Sequence, residues 1–491
     1  MRPPRRRRRH RRGFPAHAHG APRDPVAHPG LTARATHLGV HPVGRQARYR
    51  CRTRRATPAS SCAECAHPST PEWNGYPVVR STSAGTSRHA TVWRNVAIGA
   101  ALAVAVLVVV LLVRSPASEP PPPATPPPPP VAAGPALYVD PATGSDNDDG
   151  SQGAPLKTIQ VALEQAEPGT TINLAPGEYR EAPVTVKPGA PGAPITIKGP
   201  ETGQDQAGRY QAVLYGEGRV FSINHSHYAL EGFTIDGQEG LKGRQLPTEV
   251  SAMTAFKNSV RDVVTDGRLI YIGAADDSKD ITGITIRDMF LSGAGGECVR
   301  LRNNAFDNVI ADSVIQYCGL FGKSEDDSDR FEYHNGEGVY IGTSPKSDSQ
   351  PMHENDTSSG NRITGNIIRT FGSECFNVKE NAHDNVFEDN TCSGNTESTE
   401  FDGSNIELRG HDNVVRNNTI SDSAGVAVKI KSDEDEYDKG GNIVEDNEIT
   451  GISDVGFQVE SEAQQGAICG NQVDAAGVPD EDTPQGADRP C

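Results

Sequence analysis

From position 136 onward the hydrophobic residues come in short alternating runs, broken by Gly, Asn and Asp, and that alternation predicts strands rather than helices. The runs repeat. NVIADSVI (308–315), NRITGNII (361–368), NVFEDNTC (385–392), NVVRNNTI (413–420) and NIVEDNEI (442–449) each set an Asn before a strand and a second Asn five residues later, replaced by Ser313 in the first copy. After Asn361 the leading Asn recurs at intervals of 24, 28 and 29 residues. Strands at that period, with no second helix, predict a β-solenoid whose rungs stack about 4.8 Å apart. One rung cannot bury its own apolar face, whereas a stack buries a continuous column. Asn at recurring corners tolerates left-handed backbone and bonds to the Asn above and below, so the repeated Asn read as structural ladders. HYALEGFTIDG (227–237) and DITGITIRDMFLSG (280–293) read as further rungs. A single stretch, PLKTIQVALEQA (155–166), has helical spacing, and Pro168-Gly169 ends it.

Strands that follow Gly-rich turns align as CVRLR (298–302), GVYIG (338–342), CFNVK (375–379), NIELR (405–409), GVAVK (425–429) and GFQVE (456–460). Their apolar positions alternate inward, so the intervening ones face out. The last outward column then reads Arg302, Gly342, Lys379, Arg409, Lys429 and Glu460, with Asn377 and Glu407 on the neighbouring outward positions. Stacked cations repel unless something counters them. An acidic polysaccharide, with a carboxylate on each uronate, would do so. Arg302, Lys429, Asn377 and Glu407 are therefore candidate substrate contacts. Glu297, Glu337 and Glu374 recur two columns away, each after a small-residue turn, and carboxylates on neighbouring rungs are the oxygen donors a Ca²⁺ ion takes.

The segment YVDPATGSDNDDGSQGAPLKTIQVALEQAEPGTTINLAPGEYRE (138–181), followed by APITIKGP (193–200), resembles the opening of right-handed parallel β-helix proteins of the pectate-lyase-like superfamily. The resemblance implies an all-β coil with a short N-terminal capping helix. That superfamily holds lyases, hydrolases, epimerases and inert scaffolds, so fold alone does not fix activity. In its lyases Ca²⁺ neutralises the substrate carboxylate and a Lys or Arg on an outward strand takes the adjacent proton. SECFNVKENAHDN (373–385) resembles the GF-x-x-K…GN strand of one pectate-lyase family, which implies Lys379 as base with Arg409 beside it to depress its pKa. The expectation is a protein that recognises an acidic polysaccharide, with Ca²⁺-assisted β-elimination as its chemistry. A non-catalytic surface scaffold or adhesin is the alternative.

Six cysteines in this body suit an oxidising compartment, and sequential pairing (Cys298 with Cys318, Cys375 with Cys392, Cys469 with Cys491) is the simplest connectivity. Upstream the chain changes character. Residues 1–114 carry 20 Arg, no Lys and three acids, whereas the rest holds 27 basic and 61 acidic residues. So acidic a body is not built to bind nucleic acid. Between the two lies VAIGAALAVAVLVVVLLV, Val96–Val113, bounded by Arg94 and Arg114. Its 18 residues span about 27 Å as a helix, enough to cross a bilayer core. The expected organisation is a basic region (1–93, with 1–77 read as a mis-assigned start), a signal anchor (94–114), a proline-rich stalk (115–135) and the β-helix (136–491). Arginines before the apolar run put the N-terminus in the cytoplasm and the β-helix outside the plasma membrane.

Overall fold

The computed structural model describes residues 134–491 except 202, 206–207, 275–278, 322–334, 348–353, 399–401 and 480–481. The basic region, the anchor and nearly all of the stalk lie outside the described residues. No helix among the described residues is long and apolar enough to cross a membrane.

Every strand pairing between rungs is parallel, and the rungs build three long sheets. The first has eleven strands, from Ala136–Val139 to Ile468–Cys469, and the second has ten, from Gly177–Arg180 to Gln472–Ala475. The third has eight, from Gly218–Ile223 to Phe457–Val459. The chain visits them in turn. Arg362–Thr364 lies in the first, Ile367–Arg369 in the second, Phe376–Val378 in the third, and Val386–Glu388 returns to the first. The chain is thus a right-handed parallel β-helix. Inward residues from all three sheets form one continuous core, with Phe376 and Phe387 stacked at 4.9 Å between ring centroids. Helix α1 (Ile159–Gln165) buries Ile159, Ala162 and Leu163 in that core. Its N-cap is Thr158, which accepts a hydrogen bond from the Val161 N–H.

The Asn ladders are present at two corners. In the first, Asn308, Asn361, Asn385 and Asn413 each donate Nδ2 to the next Asn Oδ1 at 2.9–3.1 Å, ending on Asn442. In the second, Asn366, Asn390, Asn418 and Asn447 do the same at 2.9–3.2 Å, ending on Asn471. Left-handed backbone falls on the residue before each ladder position, such as Asp384, Asp389 and Asp446, rather than on the laddered Asn itself. All three disulfides join the sequential pairs.

A second helix, α2 (Val250–Val260), interrupts the coil between the second and third sheets. The sequence carries its signal in Val250, Met253, Val260 and Val264, at helical spacing, which the strand-based reading passed over. With Leu241, Met253, Val260 and Val264 the insertion packs on Tyr317, Leu320 and Phe371, making a satellite core beside the second-to-third-sheet turns.

Candidate functional site

The outer face of the third sheet gathers most of the charged residues singled out above. Register places them. Val299 pairs with Val339, Val339 with Phe376, and Phe376 with Ile406, so Arg302, Gly342, Lys379 and Arg409 share one column as expected. The next rung differs. Glu407 pairs with Lys429 and Leu408 with Ile430, which puts Lys431, not Lys429, beside Arg409. A two-residue slip keeps each side chain on its face but changes its column. Lys429 therefore stands in the column of Arg300, Tyr340, Asn377 and Glu407.

The cations of this face fall into two groups. Towards the C-terminal rungs they are consumed by carboxylates of the same chain. Arg409 contacts Glu407 and Asp433 and lies 3.7 Å from Glu380; Lys429 and Lys431 both contact Asp402. Burial opposes ionisation of Glu407, but Arg409, Lys379 and Lys431 outweigh it and hold its pKa at about 2. Glu374 hydrogen-bonds Glu407, and burial with the Glu407 charge raises its pKa well above the ordinary carboxylate value. The pair behaves as a carboxyl–carboxylate dyad sharing a proton.

Towards the N-terminal rungs, three cations converge on one ring. Arg300, Arg302 and Lys379 lie 4.5, 5.6 and 4.9 Å from the centroid of Tyr340. Arg300 contacts Glu297, which also pairs with Arg268 at 2.5 Å. Arg302 and Lys379 have no carboxylate in ion-pair contact among the described residues. Between their rungs stands Gly342 at φ 87°, where an added Cβ would meet Ala382 Cβ at 3.1 Å and Lys379 Cβ at 3.4 Å, so only glycine lets the lysine stem pass. Buried polar atoms lacking a hydrogen bond cluster on this face, among them Arg302 Nε, Glu337 Oε2, Asn377 Oδ1 and Glu380 Oε2. In native proteins such atoms are rare, and each calls for a partner such as an ordered water, an ion or a ligand.

Two expectations change here. Burial favours the neutral amine of Lys379 and Arg409 repels its charge, but Tyr340, Glu407 and Glu337 prevail and the pKa is raised. A lysine held charged suits binding a carboxylate, not abstracting a proton. The Ca²⁺ donor set does not fit either. Glu297, Glu337 and Glu374 do share a column, because Cys298 N–H donates to Glu337 O and Gly338 N–H to Glu374 O. Their carboxylates are nevertheless turned to other work: Glu297 to two arginines and Glu374 to Glu407. No three His, Cys, Asp or Glu side chains among the described residues converge as a metal site.

Two features escaped the sequence reading. Lys257, on the last turn of α2, is fully buried near Glu397; burial lowers its pKa to about 7, and burial with the Glu337 charge raises Glu397 to about 8. At the turn after the third sheet, His383 and His411 stack at 4.9 Å, each Nδ1 against the next residue, Asp384 at 2.7 Å and Asp412 at 2.8 Å.

Comparison with known proteins gives three kinds of likeness. The family model described as "Periplasmic copper-binding protein (NosD)" matches residues 324–479. Over 105 residues the chain is 33% identical to "Uncharacterized protein YwoF" of Bacillus subtilis (strain 168), a match covering 21% of this chain and 22% of that protein. The match thus spans about a fifth of that relative's length. Among solved structures, the alginate lyase from Paenibacillus sp. str. FPU-7 is 19% identical with a TM-score of 0.49, covering 70% of this chain and 95% of its own. Pectate lyase Pel9A is 14% identical with a TM-score of 0.44, covering 71% of this chain and 78% of its own.

Proposed function

We propose that the outer face of the third sheet binds an acidic, uronate-containing polysaccharide. The observation that carries this reading is the convergence of Arg302 and Lys379 on Tyr340, neither cation having a carboxylate in ion-pair contact among the described residues. A sugar carboxylate supplies the missing charge, while the buried Tyr340 ring holds the two cations in place. Asn377, two residues before Lys379, lies buried beneath this contact, with its Oδ1 unpartnered among the described residues. Arg409, Lys429, Lys431 and Glu407 hold the framework through their ion pairs rather than touching the polymer.

On this reading the chemistry is a β-elimination. Neutralising a uronate carboxylate with Arg302 and Lys379 acidifies the C–H beside it. Glu337 then takes that proton, the C=C forms as the glycosidic C–O bond β to the carboxylate breaks, and the departing oxygen takes a proton from water. The Oε2 of Glu337 has no partner among the described residues, and burial with the nearby Glu297 charge lifts its pKa to about 7. Three disulfides suit display outside the cell, as the anchor and stalk expected at 94–135 would provide.

The test is incubation of the protein with pectate, alginate and glycosaminoglycans, reading binding by calorimetry and unsaturated uronate ends by ultraviolet absorbance. Arg302→Ala and Lys379→Met should each weaken binding at least about tenfold, the loss of a charge-assisted contact. Glu337→Gln should leave binding and remove the absorbance rise. Binding unchanged by both cation variants sinks the reading, and binding without any absorbance rise reduces it to recognition.

A further inference from the structure

A separate cleft of about 630 Å³ opens on the outer face of the second sheet, near the first rungs. Its floor comes from the outward positions of Ala212–Tyr215, Thr234–Asp236 and Phe290–Ser292. One wall comes from residues 203–205 and 209–211 and the other from the arm 238–246 that leads into α2. Both walls are pinned. Thr234 Oγ1 accepts from the Tyr210 N–H at 2.8 Å, and Arg209 donates to Asp236 at 2.9 Å. On the other side, Gln238 grips the Thr265 backbone twice, donating Nε2 at 2.8 Å and accepting the N–H at 2.9 Å. A cleft of this size with fixed walls lies in the range of small-ligand sites and requires little ordering on binding.

Charge separates this cleft from the third-sheet face. Its acids (Glu178, Asp205, Asp236) equal its bases (Arg209, Lys242, Arg244) in number. Arg209 is spent on Asp236 and Lys242 on Glu178, so the lining has no cation surplus to draw an anion. The lining also carries side chains with paired donors and acceptors, the amide of Gln211 and the phenol of Tyr210, the latter hydrogen-bonded to Gln204. Val213 and Leu246 add apolar surface to the same lining. Amide and hydroxyl groups beside apolar surface recognise a ring that carries hydroxyls on its rim and C–H bonds on its faces.

We infer that this cleft binds an uncharged saccharide. The site is independent of the acidic-polymer reading and uses none of its residues. The experiment is titration calorimetry on the full-length chain. The probes are neutral hexasaccharides of β-linked glucose, xylose, mannose and N-acetylglucosamine, with hexagalacturonate alongside. At least one neutral hexamer should saturate the protein, with an affinity that changes less than about twofold between low and high salt because no charge is involved. Gln211→Ala and Tyr210→Ala should each lower that affinity at least about fivefold, consistent with losing a hydrogen bond. Arg302→Ala should leave it unchanged while weakening hexagalacturonate, so the two sites fail separately. Thermal melts establish that each variant is folded. No binding by any neutral hexamer overturns the inference, as does neutral binding that ignores Gln211 and Tyr210 or falls with Arg302.

Discussion

Asn390, at the corner between the first and second sheets, and Asn377, on the outer face of the third, are each 2% exposed. Asn390 Nδ2 donates to Asn418 Oδ1, Ile363 O and Glu388 O at 2.9–3.2 Å, and its Oδ1 accepts from both the side chain and the backbone N–H of Asn366. Asn377 makes no side-chain hydrogen bond among the described residues, and its Oδ1 is buried without a partner. One residue type at one level of burial thus serves two purposes. The corner satisfies every amide and gains register and rigidity. The face leaves polar atoms open at a cost in stability, and such a cost is characteristic of surfaces kept for a ligand.

That contrast can be broken by mutation. Asn390→Ala removes the acceptor of the Asn366 backbone N–H and the donors to Ile363 O and Asn418 Oδ1 in a dry corner, so it should destabilise the β-helix by about 3–5 kcal/mol. Asn377→Ala should cost below about 1 kcal/mol, since no hydrogen bond is lost. Urea unfolding midpoints decide the matter, and equal losses at the two sites would remove the distinction. Within the face, Arg409→Ala leaves Glu407 buried without its main counter-charge and should cost about 3 kcal/mol. Arg302→Ala, by contrast, should change stability by less than about 1 kcal/mol and act on uronate binding instead. If Arg302→Ala proves as destabilising as Arg409→Ala in thermal melts, the cations form one structural network and the face has no open end.

The corners were legible in the sequence because Asn recurs at a fixed offset from each strand, and one ladder explains every copy. The disulfides were legible for a similar reason, as neighbouring turns bring each pair together. The column of Arg302, Lys379 and Arg409 was also readable, since apolar alternation sorts faces. Alternation has period two, however, and cannot see a two-residue slip; Lys429 was therefore assigned to the column that Lys431 occupies. Nor can it see what turns contribute. Asp402 and Asp433 reach Lys429, Lys431 and Arg409 from outside the strands, and these contacts decide which cations are spent. Helix α2 was hidden by Lys257, a charged residue on a stripe that otherwise reads as apolar.

The prediction that tests the charges together is the dependence of stability on pH. Glu337 and Glu397 have folded-state pKa values of about 7 and about 8, both pushed up first by burial, against ordinary values near 4.5. Between those limits the folded chain holds protons that the unfolded chain has released, so their contribution to stability falls as pH rises from about 4.5 to 8. Lys257 works the other way. Its folded pKa of about 7 lies below the ordinary 10.5, so the unfolded chain binds the extra proton and stability rises with pH between those values. The melting temperature should therefore decline from pH 5 to 7 and flatten or turn upward above pH 8, by about 2–4 °C for each kcal/mol involved. Glu397→Gln should flatten the acid limb alone, and Lys257→Met the alkaline limb alone. A melting temperature that is level from pH 5 to 9 in the parent protein would show that these groups are solvated, and the buried polar face would then be no different from the rest of the surface.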